Sequence, residues 1–399
     1  MNILFMTIGG YDENIIKPYE SLLQQFNENG HSVFVVCTAE KRLNKNTERK
    51  IIRGIDVLRV KTGNITKNKS LIEKGISTLT IDTLFKNAIK KYFRNIKFDL
   101  VIYPTPPITL VGTISWLKRK FDAHTYLLLK DIFPQNAVDL DMMSKTGPIY
   151  RYFRNKEKNL YRVSDYIGCM SPANCKYLLT NNKEVSKSQV EVCPNCITVS
   201  KNEIDSNMRI NIRKKYNIPL NKKVFVYGGN LGKPQGIDFV LNCIKICSSI
   251  DNAYFLIVGG GSEFNKIQNY FKTNNINNAT LINSLSDKEY QSLAGSCDVG
   301  LVFLDYRFTI PNFPSRILSY MNVSIPVVVA ADPNTDIGDI VEANNFGWKC
   351  LSNSTDEFLI CVNKALNSDL KIMGVNAHKY LEKNYDVKNG YEIIINHFK

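Results

Sequence analysis

Short apolar runs rich in Val, Ile and Leu alternate with longer amphipathic stretches along the first half of the chain, the pattern of a parallel sheet covered by helices. The spacing predicts a strand over residues 2–8, a helix over 15–29 and a strand over 31–37, with Gly30 as the residue tolerant of positive φ that closes the helix. Further strands are expected at 100–103, 123–129 and 166–170. The basic and polar run 41–74 reads as largely exposed loop, with a strand-like piece near 55–60. A second strand–helix alternation starts at 223–227 and continues through 254–258, 279–282, 299–303 and 327–330.

The expected fold class is therefore α/β, with two doubly wound Rossmann-like domains facing across a cleft. A length of 399 residues suits two domains, and the polar stretch 201–221 places the boundary near Lys201. This gives a first domain over 1–200, a second over 201–380, and a terminal helix over 381–399 packing back on the first. Residues 1–8 lack the basic region and cleavage site of a signal peptide, and no run approaches the roughly 20 apolar residues that span a bilayer. Ten cysteines, many inside apolar stretches (Cys37, Cys169, Cys243, Cys247, Cys361), read as buried thiols in a reducing compartment, hence a cytoplasmic location. With 51 Lys and Arg against 37 Asp and Glu, the net charge of +14 asks for an anionic partner: nucleic acid, acidic lipid or phosphorylated substrate.

Three segments carry candidate chemistry. The first is 227–236 (YGGNLGKPQG), directly after a strand and before an apolar helix pattern. Its glycines let backbone approach a phosphate while Lys233 supplies a point charge; the competing reading is a flexible connection. Neither the P-loop ending nor the dinucleotide G-x-G-x-x-G spacing is present, which argues against kinase, ATPase and dehydrogenase. The second, 258–263 with Gly259 and Gly260, is another strand-to-helix turn, whose glycines also suit tight packing alone. The third, 310–326, places Pro314 at a helix start with Ser315 and Arg316 in its first turn, a candidate diphosphate clamp.

In this order, GNLGKPQG, IVGGGSEF, the polar loop 283–289, NFPSRILSYMNVSIPVVVA and Asn345-Phe346-Gly347 resemble the donor half of GT-B glycosyltransferases of the large retaining family four. The Gly9-Gly10 loop, NGHSVFVV, YLLLKDIFPQNAV, CMSPANCKYL and CPNCITV resemble its N-terminal half, closest to bacterial surface-polysaccharide members. The resemblance implies an acceptor-binding first domain and a donor-binding second one. It implies that Asn230, Lys233 and the backbone near Gly229 face the diphosphate, that Ser315 and Arg316 complete the grip, and that the backbone near Leu285 meets the base. Gln235, Gly259, Gly260, Pro314 and Ser319 fall on the same donor side; Gly9, Gly10, Lys130 and Asp131 fall on the acceptor side, with Lys233, Arg316 and Asp131 in catalytic roles. The family usually has lysine at Gln235 and glutamates in the region of Pro311 and Ser319. The second glutamate normally holds the ribose hydroxyls, so ribose recognition would rest here on a serine, a weaker acceptor. Ser324 stands where a glycine is common.

The implied reaction is retaining transfer from a nucleoside-diphosphate sugar, UDP-linked, to a saccharide or lipid-linked saccharide acceptor in capsule or O-antigen synthesis, with no metal and no cofactor. The alternatives are a nucleotide-sugar 2-epimerase of similar fold and a non-enzymatic binder of anionic polymers; no basic-aromatic recognition motif supports nucleic acid. Asp139-Leu140-Asp141 has DxD metal spacing but also suits a solvated helix end. Cys193 and Cys196 imitate a CxxC half-site but overlie a proline-asparagine turn. His31, His124, His378 and His397 show no metal-ligand spacing, and His124 reads as structural. The stretch 116–121 (WLKRKF) is either solvated surface or a contact with anionic membrane at the inner face of the plasma membrane.

Overall fold

In the computed structural model, which describes residues 1–11, 18–66, 71–200 and 204–399, the first apolar run forms a strand, Asn2–Met6. Its Ile3 and Phe5 join one buried cluster and its Leu4 and Met6 another, so both faces are covered. A continuous apolar run is what a parallel strand buried on two sides requires. The chain divides into two compact units, Met1–Ile197 with Val387–Lys399, and Thr198–Asp386.

Unit 1 is built on β1 (Asn2–Met6), β2 (Ser32–Glu40), β3 (Glu48–Ile52), β4 (Ile55–Thr62), β5 (Leu100–Pro104), β6 (His124–Leu129), β7 (Tyr166–Cys169) and β8 (Val190–Val192). Their order in the sheet is β3-β4-β2-β1-β5-β6-β7-β8. All described pairings are parallel except β3 with β4. Unit 2 is built on β9 (Lys223–Asn230), β10 (Ala253–Gly260), β11 (Ala279–Ile282), β12 (Val299–Phe303), β13 (Val327–Ala331) and β14 (Gly347–Leu351). They form a parallel sheet in the order β11-β10-β9-β12-β13-β14, the doubly wound dinucleotide-fold order. Strand order reverses between β1 and β5 in unit 1 and between β9 and β12 in unit 2, and ligands of such sheets bind beyond the strand ends at that point.

The expected loop over 41–74 is corrected. It holds a hairpin of β3 and β4 turned at Arg53 and Gly54, both with positive φ, and β4 pairs with β2 from Phe34↔Asp56 to Glu40↔Thr62. The charges that suggested loop are cross-strand pairs at the sheet edge: Arg49 to Asp56 at 2.6 Å and Arg59 to Glu48 at 2.9 Å. A helix, Leu71–Tyr92, begins inside the same run; residues 67–70 lie outside the described set. The helix expected over 15–29 is observed as Pro18–Glu28, with 15–17 outside the described residues, as is the boundary residue Lys201. The segment expected as one helix over 381–399 is two: Leu370–Tyr385 remains in unit 2, and Val387–Ile395 joins unit 1. There Tyr391, Ile394 and Ile395 pack with Ile3, Phe5, Leu22 and Phe26.

Candidate active site

At the switch point of unit 2, β9 ends on Gly228, Gly229 and Asn230, and the last two pair in register with Gly259 and Gly260 of β10. A Cβ on Gly228 would fall 2.0 Å from the Tyr290 ring, so glycine is required for that packing. Gly229 sits at φ 139°, and a side chain there would meet the Arg316 guanidinium at 2.8 Å. Tyr320 pins the strand end: its hydroxyl accepts from the Gly228 N–H at 3.1 Å and donates to the Leu301 carbonyl at 3.0 Å. Burial raises the Tyr290 and Tyr320 phenols above their ordinary range, keeping both as neutral hydrogen-bonding groups.

The loop continues through buried Leu231, whose N–H donates to the Gly260 carbonyl at 2.9 Å, into a short turn, Lys233–Gln235. Gln235 is buried and braces the loop: its side-chain oxygen accepts from the Gly232 N–H at 3.1 Å and from Asn230 Nδ2 at 3.4 Å. Lys233 and Asn230 are exposed, and no ion pair holds Lys233 among the described residues. From the β12 side the Asp305 N–H donates to the Pro234 carbonyl at 2.9 Å, tying the two switch-point loops together.

The helix expected to start at Pro314 starts two residues later. It spans Arg316–Asn322, so Pro314 and Ser315 precede it, and its seven residues carry little dipole; the side chain of Arg316 supplies the charge. Arg316 Nη1 donates to the Gly228 carbonyl at 2.8 Å, and its guanidinium lies 4.3 Å over the Tyr227 ring. Arg316 Nε is buried and without a hydrogen-bond partner among the described residues. Ser319 is half-buried within the same helix. Leu285 is half-buried in the loop after β11, next to Ser284, whose hydroxyl oxygen is 2.9 Å from where a Gly260 Cβ would sit. The structure thus gathers Gly229, Asn230, Lys233, Gln235, Gly259, Gly260 and Arg316 on one end of one sheet. Sequence reasoning missed Tyr227, Tyr290 and Tyr320, and the only signal was a tyrosine abutting the first glycine.

In unit 1, Gly9 and Gly10 follow β1, where the Gly9 N–H donates to Thr7 Oγ1 at 3.0 Å. Lys130 and Asp131 follow β6, and Thr105 Oγ1, just after β5, accepts from both of their N–H groups at 3.0 and 3.2 Å. Lys130 Nζ donates to the Cys193 carbonyl at 2.7 Å, and burial lowers its affinity for the proton. Burial pushes the Asp131 carboxyl up to about 6, against a hydrogen bond from Asn136 that lowers it.

The rival signals resolve locally. Gln135 Nε2 donates to Asp139 Oδ1 at 2.7 Å, and among the described residues no group of three or more His, Cys, Asp or Glu is placed to hold a metal. No disulfide joins any of the ten cysteines, and Cys196 Sγ donates to the Pro194 carbonyl. His124 opens β6, which lies between β5 and β7 inside the sheet, and its ring is 5.0 Å from that of Phe398. Among the described residues no helix is long and apolar enough to cross a membrane.

Fold and site define a two-sheet α/β protein with a glycine-rich loop flanked by Lys233 and Arg316 at the switch point of its second sheet. Residues 208–384 match the family described as glycosyl transferases group 1. The chain is 23% identical over 324 residues to the probable glycosyltransferase WbjE of Pseudomonas aeruginosa, covering 80% of this chain and 78% of that protein. It is 22% identical over 307 residues to the putative colanic acid biosynthesis glycosyl transferase WcaI of Escherichia coli K12, covering 76% and 74%. The crystal structure of Anabaena HepE in complex with UDP superposes with a TM-score of 0.71 at 15% identity, over 100% of this chain and 99% of that one, a likeness of fold. Residues 208–384 thus carry a group 1 glycosyl transferase domain, and the chain as a whole has the two-domain GT-B fold.

Proposed function

We propose that the chain transfers a sugar, with retention at the anomeric carbon, from a UDP-linked donor held by unit 2 to a saccharide or lipid-linked saccharide acceptor met by unit 1, in bacterial surface-polysaccharide synthesis. The observation that carries it is the grouping of Arg316, Lys233 and the Gly228–Gly229 strand end at the switch point of the second sheet. Support for the nucleotide comes from the UDP named for HepE, and support for the pathway from the colanic acid synthesis named for WcaI.

In this reading, the bond between the anomeric carbon and the β-phosphate oxygen breaks, and Arg316 and Lys233 stabilise the charge that collects on the departing diphosphate. The acceptor hydroxyl attacks on the face the diphosphate leaves, and its proton passes to that leaving oxygen. Asp131 accepts a hydrogen bond from the acceptor and orients it. Ser315 lies on the phosphate side, Ser319 meets the ribose and the backbone at Leu285 meets the base, while the phosphate charge is met by side chains and the reading calls for no metal or cofactor. Transfer assays with purified enzyme test it. Arg316→Ala is expected to lose about 10²–10³-fold in kcat, the usual scale for one charge-stabilising group; unchanged turnover would remove the assignment.

A membrane-proximal setting on the cytoplasmic side has its own support. Lys86, Lys90 and Lys120 place their ammonium groups 5.8, 5.4 and 5.1 Å from the centre of the half-buried Trp116 ring, and Ile76 and Leu79 are exposed on the helix that carries Lys86 and Lys90. Flotation with vesicles containing anionic lipid should carry the protein, and W116A with K120A should abolish that. Equal flotation with neutral vesicles would sink this part.

A further inference from the structure

We propose that Tyr227 is a positioning residue for the phosphate grip, holding Arg316 through its ring and Asn230 through its hydroxyl. The proposal rests on the donor reading above and adds a residue to which that reading assigns no role. Tyr227 is 2% exposed, the last residue of β9 before the glycines. The guanidinium of Arg316 lies 4.3 Å from its ring centre, and its own hydroxyl donates to the Asn230 carbonyl at 2.8 Å. On the core side the ring is backed by Phe303 of β12, with centroids 5.9 Å apart.

These contacts divide the work among the three tyrosines. Tyr290 and Tyr320 act on the strand itself, filling the space beside Gly228 and satisfying its N–H. Tyr227 instead meets Arg316 with its ring face and the Asn230 carbonyl with its hydroxyl. An arginine side chain is long and has many rotamers, and an order imposed before the ligand arrives is worth more to a transition state than one imposed by the ligand. The aromatic face supplies that order without consuming N–H donors. Of the five guanidinium N–H groups, one Nη1–H is directed at the Gly228 carbonyl and the Nε–H is buried, so it is the remaining Nη donors that can meet phosphate oxygens. A leucine would fill the core at this position but would offer neither the electron-rich face nor the hydroxyl.

The test is a double-mutant cycle in the transfer assay with the full chain. Tyr227→Leu should lower kcat/KM by about tenfold, the scale of a partly desolvated cation–π contact, and should cost less than about twofold more when Arg316 is already Ala. Tyr227→Phe, which keeps the ring, should stay within about threefold of wild type, the loss of one neutral hydrogen bond at a half-exposed loop. Stepwise fluorination of a phenylalanine at 227 removes the ring's negative face without changing its shape, and kcat/KM should fall with each fluorine. A flat fluorination series, or a Tyr227→Leu loss that is equally large in the Arg316→Ala background, overturns the proposal. Full activity in Arg316→Ala would instead sink the donor reading, so the two failures are told apart. Should Tyr227→Leu not fold, the fluorinated series decides alone.

Discussion

The two sheets end alike and present opposite chemistry. Beyond β9 and β12, unit 2 offers backbone freed by glycine, an exposed Lys233 and a pre-stacked Arg316, a cationic surface. Beyond β5 and β6, unit 1 offers a carboxyl that burial has raised to about 6, with the neighbouring Lys130 turned onto the Cys193 carbonyl. In the proposed reading, one kind of switch point holds phosphate and the other accepts a hydrogen bond from a hydroxyl. The difference lies in a handful of side chains at the strand ends, and the fold by itself would not have specified it.

If that division is right, changes in unit 2 act on the donor and changes in unit 1 on the acceptor. The largest effect is the loss expected for Arg316→Ala. Next comes Asp131→Asn, expected to cut turnover about 10- to 100-fold while leaving nucleotide affinity unchanged, as befits a group that orients one substrate. The carboxylate is the hydrogen-bond acceptor, and its folded value near 6 means the ionised form gains as pH rises through 6. Transfer by the wild type should therefore climb across that range, and Asp131→Asn should flatten the step. A weakened nucleotide affinity in Asp131→Asn would break the comparison.

Smaller effects sharpen it. Gln235→Ala removes the acceptor that holds the Gly232 N–H and Asn230, and should raise the donor KM about three- to tenfold at nearly constant kcat, the scale of one hydrogen bond. A change in acceptor KM instead would misplace this loop. Asp332, at the end of β13, accepts from the N–H groups of Asn334 and Thr335 at 2.8 and 3.2 Å, while its second oxygen is buried without a hydrogen-bond partner. Burial pushes its carboxyl up to about 6. A folded value above the unfolded one means stability that is full below pH about 4 and lost as pH rises through 6. Asp332→Asn should escape that loss, gaining about 1–2 kcal/mol on wild type between pH 4 and 7 in denaturant titrations. A difference that does not vary with pH would contradict it.

Much of the fold was legible because buried parallel strands write continuous apolar runs, and glycine-rich turns mark their ends. The hairpin of β3 and β4 was not legible, since Arg49, Asp56, Glu48 and Arg59 look like loop until they are seen to pair across strands. Short β8 and β14 were likewise missed: three residues, or a strand opening Gly-Trp-Lys, give too little pattern. Within the site, glycines and cations stood out in sequence, whereas the role of Gln235 did not. Its place in the resembled loop suggested a ligand contact, and its burial and hydrogen bonds reveal a brace. The tyrosines that hold Gly228 and Arg316 come from β9 and from two helices, Asp287–Gly295 and Arg316–Asn322, up to 93 positions apart in the chain, and no local spacing announces them.

The central claim is that the end of the second sheet grips a nucleoside diphosphate through Arg316. Calorimetric titration of UDP and UMP into the wild type and Arg316→Ala tests it most directly. UDP should bind the wild type more tightly than UMP, and Arg316→Ala should erase most of that margin, about tenfold or more for a charge-assisted phosphate contact. Equal binding of UDP by both proteins, or no preference for the diphosphate in the wild type, would contradict the account.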